Sequence, residues 1–330
     1  MEDKEVNDEM LDAESVEVVS EETTNEENVN EETIAPVPVA PFLTSGETTG
    51  TIMKDVVVGL LPAALFGVYR YGFRAFLILL LSVTACVLTE HICKRVKKLQ
   101  SGGYECSAVV TGLLFGMMLP VTVPYWVPVA GGAFAILLVK MAFGGLGRNR
   151  LNPAATAKCA FLILAGFVMP ELTVSCVNLG RGGILRDVFF GFADGMIGEV
   201  SAFLLILGGM YLVCFKVTSL WFPVPYLAAF VSVLGIFGGY GFELEFLVMQ
   251  VCSGSVILGA FFLGNDYTTS PMTRTGKVLY GVLVGALAGV LRVTGYTAAD
   301  VVFAILIGNL FVPLLDKITL HTNYKKEKRK

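Results

Sequence analysis

From about residue 51 onward, long apolar stretches alternate with short polar loops, and this alternation limits the fold more than any other feature of the chain. The sequence is 55% hydrophobic and 16% charged, whereas about a quarter of the residues in a soluble globular domain are charged. The apolar stretches predict ten transmembrane helices, at residues 56–69, 73–93, 107–119, 124–143, 154–169, 195–215, 221–240, 245–264, 278–293 and 301–315. Several are shorter than the roughly 20 residues of a perpendicular crossing, so nine or eleven helices remain open. The predicted fold is an all-α polytopic membrane protein.

Basic residues predict the orientation of these helices, because Lys and Arg are enriched in cytoplasmic loops. An even number of crossings brings both termini to one side of the membrane. If that side is the cytoplasm, the inner loops and the C-terminus hold the larger basic group, which comprises Lys94, Arg95, Lys97, Lys98, Arg148, Arg150, Lys216, Arg274, Lys277 and the 325–330 cluster. The outer loops then hold Arg70, Arg74, Arg181, Arg186 and Arg292. Both termini are therefore predicted to be cytoplasmic.

The sequence also carries a trace of an internal repeat. The third stretch contains Gly-Leu-Leu-Phe-Gly at 112–116, and the eighth contains Gly-Ala-Phe-Phe-Leu-Gly at 259–264. Each then runs into a segment that ends in proline, at 120–124 and 265–271 respectively. Ordinary helix ends would give the same pattern, but paired short segments of this kind also mark the binding site between inverted repeats. We therefore predict two five-helix repeats of opposite topology.

The N-terminal segment differs in composition from everything that follows it. Residues 1–50 contain fifteen acidic residues and a single basic one, Lys4. Such a segment cannot bury enough apolar surface to fold, so it is predicted to be disordered, either simply solvated or docked on a basic partner. It also lacks the basic start and apolar core of a signal peptide. The predicted organisation is an acidic tail at 1–50, a transmembrane domain at 51–319 and a basic cytoplasmic tail at 320–330.

Sequence motifs exclude several classes of protein. The chain has no G-x-S-x-G, H-E-x-x-H or Walker motif, which mark common soluble enzymes. Its seven cysteines form no C-x-x-C pair, and its only histidines are His91 and His321. A thiolate-held iron–sulfur cluster, a zinc finger and a bis-histidine haem are therefore not expected, and no metal-ligating residues are assigned.

Polar residues in or near the predicted bilayer are the candidate functional groups, because an unpaired charge there costs at least about 2.5–3.5 kcal/mol. Glu199, close to a predicted helix start, is either a first-turn acid that meets the helix dipole or a relay for a proton or cation. The segment 265–271 contains Asp266 and several hydroxyl groups. It is either an ordinary loop or a broken helix end that could hold a cation or the polar edge of a flavin.

A third polar place precedes a helix that starts with proline. Arg148 and Arg150 lie just before Pro153, an arrangement that suits an anion or phosphate at a helix N-terminus and equally suits lipid headgroups. Lys140 and Lys158 lie on either side of this segment, and we expect both side chains to extend towards the membrane surface.

These segments carry a resemblance to a known family. The chain resembles the D-type subunit of the Rnf-type ion-translocating electron transport complex, which is related to the B-type subunit of the sodium-pumping NADH:quinone reductase. The resemblance runs from about residue 51 to 316, and its motifs are residues 104–114, the run Phe-Gly-Gly-Leu-Gly-x-Asn-x-x-Asn-Pro-Ala at 143–154, and residues 309–316. The acidic tail lies outside it.

The resemblance implies a ten-helix subunit of a bacterial inner-membrane complex that passes electrons between ferredoxin and NAD while transporting Na⁺ or H⁺. The chain would be part of a translocase rather than an enzyme alone. Its expected partners are the other subunits and membrane lipid, not nucleic acid. The implied cofactor is FMN, attached through a phosphoester to a threonine, with a second, non-covalent flavin such as riboflavin as a further possibility.

This sequence departs from the family at the flavin-bearing threonine. Aligned on Ser175 and Leu179, the attachment position falls on Val177, which has no oxygen for an ester. Either Thr173 or Ser175 serves instead, or covalent FMN is absent, and absence is the interpretation we favour.

Within this framework we assign roles to individual residues. Glu199 and Asp266 are assigned to the ion pathway, and Asn152, Thr269 and Ser270 to polar contacts with flavin; Ser175 is the remaining candidate for cofactor binding. The main alternative is a channel or uniporter for a small polar solute with no redox role. A third class is an assembly scaffold that binds the other subunits without any flavin.

Overall fold

A computed structural model describes residues 49–97, 106–142, 149–168, 185–295 and 300–327, and every regular element within these ranges is helical. In chain order the helices are α1 (Thr49–Tyr71), α2 (Phe73–Val96), α3 (Ser107–Met117), α4 (Trp126–Phe134, continued as a π-helix over Ala135–Met141), α5 (Pro153–Val168), α6 (Leu185–Phe190), α7 (Ala202–Cys214), α8 (Pro223–Phe237), α9 (Leu244–Cys252), α10 (Val256–Leu258, continued as a π-helix over Gly259–Leu263), α11 (Arg274–Val293) and α12 (Asp300–Glu327).

The helices fit a protein that spans the membrane many times. Four of them, α1, α2, α11 and α12, are long and apolar enough to cross a bilayer. The pair α9 and α10 forms a fifth candidate that is bent by 66°, and α3, α4, α5, α7 and α8 are shorter apolar helices. Large apolar side chains such as Leu65, Leu88 and Leu310 are more than 60% exposed, as expected for contact with lipid. The prediction of an all-α polytopic membrane protein is confirmed.

Two of the predicted helices differ from the structure. The stretch predicted to be helical from residue 195 forms a helix only from Ala202, because Ser201 caps that helix and residues 195–200 are non-helical. The eighth stretch is interrupted at residues 253–255, where Gly254 has a positive φ of 65°. In both places the backbone leaves the helix at polar residues, and the polar groups are thereby brought deep into the protein.

Contacts between helix ends define one side of the bundle, which we call face A. The amine of Lys97 at the end of α2 donates to the carbonyl of Met141 at the end of α4, with a distance of 2.6 Å. The amide nitrogen of Asn152, just before α5, donates to the carbonyl of Leu263 at the end of α10, at 3.1 Å. The ends of α2, α4 and α10 and the start of α5 therefore lie at face A.

The opposite side is called face B. Here Arg70 at the end of α1 lies 3.4 Å from the carboxylate of Asp194, and Arg74 at the start of α2 donates to the carbonyl of Thr122. Helix α11 starts after the segment that follows α10 at face A. Its 20 residues span about 30 Å, the thickness of the hydrocarbon core. Arg292, in its last turn, therefore lies towards face B.

The short helix α3 ends in the middle of the molecule. It starts at face A and its 11 residues rise about 16 Å, roughly half of the hydrocarbon thickness. There its carbonyl ends meet the non-helical segment 195–201, which we call the central break. The amide of Gly198 donates to the carbonyl of Met117 at 2.8 Å, and the amide of Ile197 donates to the carbonyl of Leu119 at 3.1 Å. The two chain breaks thus satisfy each other's backbone groups at depth.

Glycines allow α8 and α11 to approach closely. Gly281, Gly285 and Gly289 follow each other at four-residue intervals on α11, and a Cβ at Gly285 would lie 2.2 Å from the carbonyl oxygen of Tyr226 on α8. Small residues at this spacing are the usual means by which membrane helices pack backbone against backbone. This packing fixes the position of the last turn of α11, which carries Arg292.

Candidate functional site

A cavity of about 70 Å³ lies at face A between α1, α3, α4, α5 and the segment after α10. Its polar lining residues are Ser107, Thr111, Lys140, Asn149, Asn152, Thr218, Asn265, Asp266, Tyr267 and Thr268. The volume corresponds to about two water molecules. Of the residues assigned from the sequence, the structure brings Asp266 and Asn152 to this cavity.

The carboxylate of Asp266 is held by its own loop. The hydroxyl groups of Thr268 and Thr269 donate to Oδ2, at 2.8 and 3.3 Å, and the amide of Thr268 donates to Oδ1 at 3.4 Å. Burial raises the pKa of Asp266, and these three hydrogen bonds act in the opposite direction. The carboxylate is therefore a polar group at the cavity wall whose charge is supported by neutral donors.

Asn152 uses both ends of its amide to hold the cavity together. Its Oδ1 accepts a hydrogen bond from the amide of Ala155 at 3.2 Å, which caps the start of α5. Its Nδ2 donates to the carbonyl of Leu263, which otherwise lacks a helical partner at the end of α10. Asn152 thus joins the start of one helix to the end of another.

A wider cavity of about 360 Å³ adjoins the first one. Its lining residues are Asn149, Arg150, Thr268, Thr269, Asn309, Leu310, Val312, Pro313 and Asp316. Asn149 is buried and lines both cavities, and its Oδ1 accepts no hydrogen bond within the described part of the chain. Ser270 is buried next to Thr269, and its amide donates to the carbonyl of Asp266 at 3.0 Å. The wider cavity has the size of an ordinary ligand pocket.

Glu199 lies apart from both cavities, in the central break. It is 6% exposed and precedes the cap of α7, so it is not the first-turn acid of a helix. The hydroxyl of Ser255, in the break before α10, donates to its Oε1. The acid thus lies where three short helices, α3, α7 and α10, begin or end.

Lys158 faces the same centre from α5. Its side chain is fully buried, and its amine donates to the carbonyl of Met118 at the end of α3. Its positive charge also stabilises the Glu199 carboxylate electrostatically. The expectation that Lys158 extends to the membrane surface is wrong, because the partial negative charge at the C-terminal end of α3 holds the ammonium group inside.

The same expectation is wrong for Lys140, which is 2% exposed. Its amine lies 2.8 Å from Oε2 of Glu90 on α2 and 2.5 Å from the hydroxyl of Ser107 at the start of α3. Lys94 lies 3.0 Å from the other carboxylate oxygen of Glu90. We call this group the face A ion pair.

A second buried ion pair lies towards face B. Arg292 forms it with Asp300 at the start of α12, and both side chains are at most 5% exposed. Arg292 also donates to the side-chain oxygen of Gln250 at 3.0 Å and to the hydroxyl of Ser253 at 3.1 Å. We call this group the face B ion pair. The sequence prediction placed Arg292 in an outer loop, and the structure corrects that position to a buried helix end.

The sequence contained a signal for these two ion pairs that was not used. Lys140, Arg292 and Asp300 each interrupt or border an apolar stretch, and charges at such positions are usually paired. What the sequence lacks is the identity of the partner, because Glu90 and Lys140 are 50 residues apart.

Some predicted site residues lie outside the described ranges. These are Thr173, Ser175 and Val177, around the expected flavin attachment position, and Arg148, which was predicted to suit an anion or phosphate. The acidic tail at 1–48 also lies outside them. The assignments at these positions remain predictions.

The chain is similar to proteins of one family along most of its length. The family model described as NQR2, RnfD, RnfE matches residues 37–325. The D-type subunit of the Na⁺-translocating ferredoxin:NAD⁺ oxidoreductase complex of Acetobacterium woodii is 31% identical over 302 residues, which cover 86% of this chain and 93% of the relative. The D-type subunit of the proton-translocating ferredoxin:NAD⁺ oxidoreductase complex of Clostridium ljungdahlii is 31% identical over 306 residues, with coverage of 84% and 92%.

A third relative comes from another bacterium, Halorhodospira halophila. The D-type subunit of its ion-translocating oxidoreductase complex is 30% identical over 316 residues, which cover 81% of this chain and 88% of the relative. The motif-based resemblance therefore holds over the full helical region as well as in the few segments that suggested it. The chain belongs to the NQR2, RnfD, RnfE family.

Proposed function

We propose that this chain is the D-type membrane subunit of an ion-translocating electron transport complex of the ferredoxin:NAD⁺ type. The names of its relatives support this assignment. One observation carries the ion-translocating part of the proposal. Glu199, an acidic side chain, is buried at half depth where short helices meet, and an ionisable group at that depth is by default a candidate for binding or passing an ion.

The proposed ion path runs from the face A cavity to the central break. Asp266 at the cavity wall is the acidic group at the face A end, and Glu199 is the acidic group in the centre. Ser255 orients the Glu199 carboxylate and Lys158 balances its charge. A cation or proton that reaches Glu199 therefore meets a carboxylate whose orientation is already fixed.

The wider cavity fits a flavin, because it combines ligand-sized volume with amide, hydroxyl and guanidinium groups. Thr269 and Asn149 would supply polar contacts, and Arg150 would supply positive charge for a phosphate. Asn152 and Ser270 would fix the wall that joins this cavity to the smaller one. A bound flavin would supply one- and two-electron redox chemistry. Since Val177 cannot form an ester, we propose that the flavin is held non-covalently.

The function of such an arrangement is coupling between redox state and ion occupancy. Adding an electron near face A changes the local charge, and that change alters the free energy of a cation at Asp266 or Glu199. By thermodynamic reciprocity, occupancy of the ion path must alter flavin reduction by the same free energy. The chain's own contribution is to hold the acidic groups at fixed depth and to exclude bulk water from them.

The proposal places the chain in a bacterial inner membrane with both termini cytoplasmic, so that face A is the cytoplasmic side. The basic residues at face A, such as Lys94 and Lys97, support this orientation through the enrichment of Lys and Arg in cytoplasmic loops. The proposed partners are the other subunits of the complex.

The ion path is tested in proteoliposomes that contain the purified complex. We expect Glu199→Gln to reduce ion uptake per electron by about tenfold, because the neutral amide removes the charge that couples the two processes. Asp266→Asn should act in the same direction with a smaller effect. Glu245→Gln, at an exposed position in α9, is the matched control and should leave the ratio unchanged. Unchanged uptake in the first two variants would remove both acids from the mechanism.

The flavin is tested separately. An absorption spectrum of the gently purified chain should show a flavin band that is lost after denaturation and filtration, and the mass of the intact chain should show no FMN adduct. Thr269→Ala combined with Asn149→Ala should lower the flavin content. If flavin is absent from the wild-type chain, the redox part of the proposal fails and the solute channel or the assembly scaffold becomes the better account.

A further inference from the structure

The face A and face B ion pairs lie on opposite sides of the central break. Among the described residues, these are the two ion pairs whose acidic and basic side chains are both buried. Lys140 is in the last turn of α4, at face A, and Arg292 is in the last turn of α11, towards face B. A cation that crosses the protein through Glu199 would therefore pass one pair on each side of the centre.

The two pairs follow similar short segments, which the sequence pattern predicts to be related by an internal repeat. Ser107 and Gly116 are nine residues apart in and around α3, and Ser255 and Gly264 are nine residues apart in and around α10. Helices α4 and α11 are the apolar helices that follow these two segments. The basic residue of each pair lies in the last turn of the helix that follows the short one.

Each basic group also contacts a serine next to the start of the short helix of its own half. Lys140 bonds to the hydroxyl of Ser107, the first residue of α3. Arg292 bonds to the hydroxyl of Ser253, in the break that precedes α10. Both clusters therefore contain a buried acid, a buried base and a serine that bonds to the base, although their acids come from helices that do not correspond in chain order.

One donor of the face B ion pair lacks a partner in the described ranges, and so does a hydroxyl on the helix α8 that packs against α11. Nη2 of Arg292 and the hydroxyl of Tyr226 have no hydrogen-bond partner within the described part of the chain. Tyr226 is fully buried, and Arg292 lies 5.4 Å from the ring centre of Phe230 on the same helix as Tyr226. Because Nη2 is itself a donor, the guanidinium keeps one donor free for another acceptor when the acid is taken by another cation.

We infer that the two ion pairs are the two barriers of the ion path, one on each side of Glu199. When a pair is closed, its buried ammonium or guanidinium repels a monovalent cation, and its acid is already occupied. A cation that takes the place of the base at Glu90 or at Asp300 leaves that base buried without its acid, so the cluster gains one positive charge, and this cost is what makes each pair a barrier. Opening one barrier while the other stays closed lets an ion reach Glu199 without a continuous leak. This inference rests on the proposed function, because it assumes that an ion passes Glu199.

The experiment measures passive ion flux through the assembled complex in proteoliposomes without any electron donor. Lys140→Met with Glu90→Gln neutralises the face A pair, and Arg292→Met with Asp300→Asn neutralises the face B pair. Each two-site variant should remain as tight as the wild type, because the other barrier is intact. The four-site variant should raise the flux of ²²Na⁺, or of protons followed by a pH-sensitive dye, by about tenfold or more.

Each outcome decides the inference. An assembled four-site variant as tight as the wild type overturns it, and so does a two-site variant that leaks as much as the four-site variant. If the four-site variant raises only the ²²Na⁺ flux or only the proton flux, the result supports the inference and identifies the transported ion. Because no electron transfer is involved, these results differ from a failure of the proposed function, which would appear as wild-type complex that transfers electrons without ion uptake.

A milder variant covers the case in which the four-site variant does not assemble. Ser107→Ala combined with Ser253→Ala keeps all four charges and removes one hydroxyl group from each cluster. We expect the passive flux to rise by about twofold, because each base loses one of its hydrogen bonds. Thr84→Ala, at an exposed position where the hydroxyl bonds to its own helix, is the control. No rise relative to this control would overturn the inference.

Discussion

The two buried ion pairs each have their base in the last turn of a helix, one in each half of the chain, yet they distribute their contacts differently. In the first half the acid has the additional partner. Glu90 lies 2.8 Å from Lys140 and 3.0 Å from Lys94, so its carboxylate keeps a basic neighbour if Lys140 is lost. In the second half Asp300 has Arg292 as its basic partner within the described residues.

In the second half the base has the additional partners. Arg292 donates to Gln250 and Ser253 as well as to Asp300. A guanidinium group can do this because it carries five donors in a fixed plane, whereas the ammonium group of a lysine acts as a point charge with three rotatable donors. The comparison shows that chemically different clusters can bury an ion pair at a helix end, provided that the acid and the base are paired.

The largest expected effect comes from removing each base in turn. Arg292→Met leaves Asp300 buried without a basic partner, and we expect a loss of about 3–5 kcal/mol in the free energy of unfolding. Lys140→Met leaves Glu90 next to Lys94, so we expect a smaller loss of about 1–3 kcal/mol. Denaturant titration of the purified chain in detergent measures both values.

The control for this prediction neutralises the acid as well. Adding Asp300→Asn to Arg292→Met should recover much of the lost stability, because the second change removes the unpaired charge. Equal losses for the two single variants, or no recovery in the two-site variant, would mean that the contacts described for the two clusters do not govern their stability.

An intermediate effect is expected from glycines that bring helices together in each half. A Cβ at Gly285 on α11 would lie 2.2 Å from the carbonyl oxygen of Tyr226, and a Cβ at Gly112 on α3 would lie 2.7 Å from Cα of Val83. Alanine at either position should cost about 1–3 kcal/mol, with the larger loss at Gly285. Gly195→Ala is the matched control, since its nearest atom is 3.7 Å away. Thermal unfolding in detergent should separate the three variants, and equal midpoints would argue against close backbone packing.

The smallest effect concerns the caps that start a helix in each half. Oδ1 of Asn152 accepts from the amide of Ala155 before α5, and Oγ1 of Thr273 accepts from the amide of Gly276 before α11. Alanine at either position should cost about 0.5–2 kcal/mol, with the larger loss at Asn152, which also bonds to Leu263. Thermal unfolding in detergent measures both losses. Serine restores a cap at both positions but not the bond to Leu263, so full recovery by Asn152→Ser would show that this bond adds nothing to stability.

Local properties of the sequence predicted the helices well and their interruptions less well. The predicted stretch at 73–93 corresponds to α2 (Phe73–Val96), because an apolar run without proline or a central charge is expected to be helical in a bilayer. The stretch from residue 195 is also apolar on both sides of Glu199, but residues 195–200 are non-helical and the helix begins only at Ala202. Two of the amides in this segment donate to carbonyl groups at the end of α3 instead of forming helical hydrogen bonds. Local sequence cannot predict this alternative, because α3 is a distant segment of the chain.

The candidate site was predicted as separate residues rather than as an arrangement. Motifs pointed to Asp266 and Asn152, and the structure brings both to one cavity. The prediction for Lys140 and Lys158 was wrong, because snorkelling is the default for a lysine without a known partner. Both lysines have partners on other helices, Glu90 and the carbonyl of Met118.

The amino-acid sequence alone determined that this protein lies in the membrane and is helical, because the transfer of an apolar run into lipid depends on about 20 consecutive residues and on nothing else. Only the tertiary structure decided which polar groups meet there. Asn152 and Leu263 are 111 residues apart, and Lys140 and Glu90 are 50 apart. Such pairs depend on how helices pack against one another, and helix packing in lipid is governed by the close fit of small residues on distant segments.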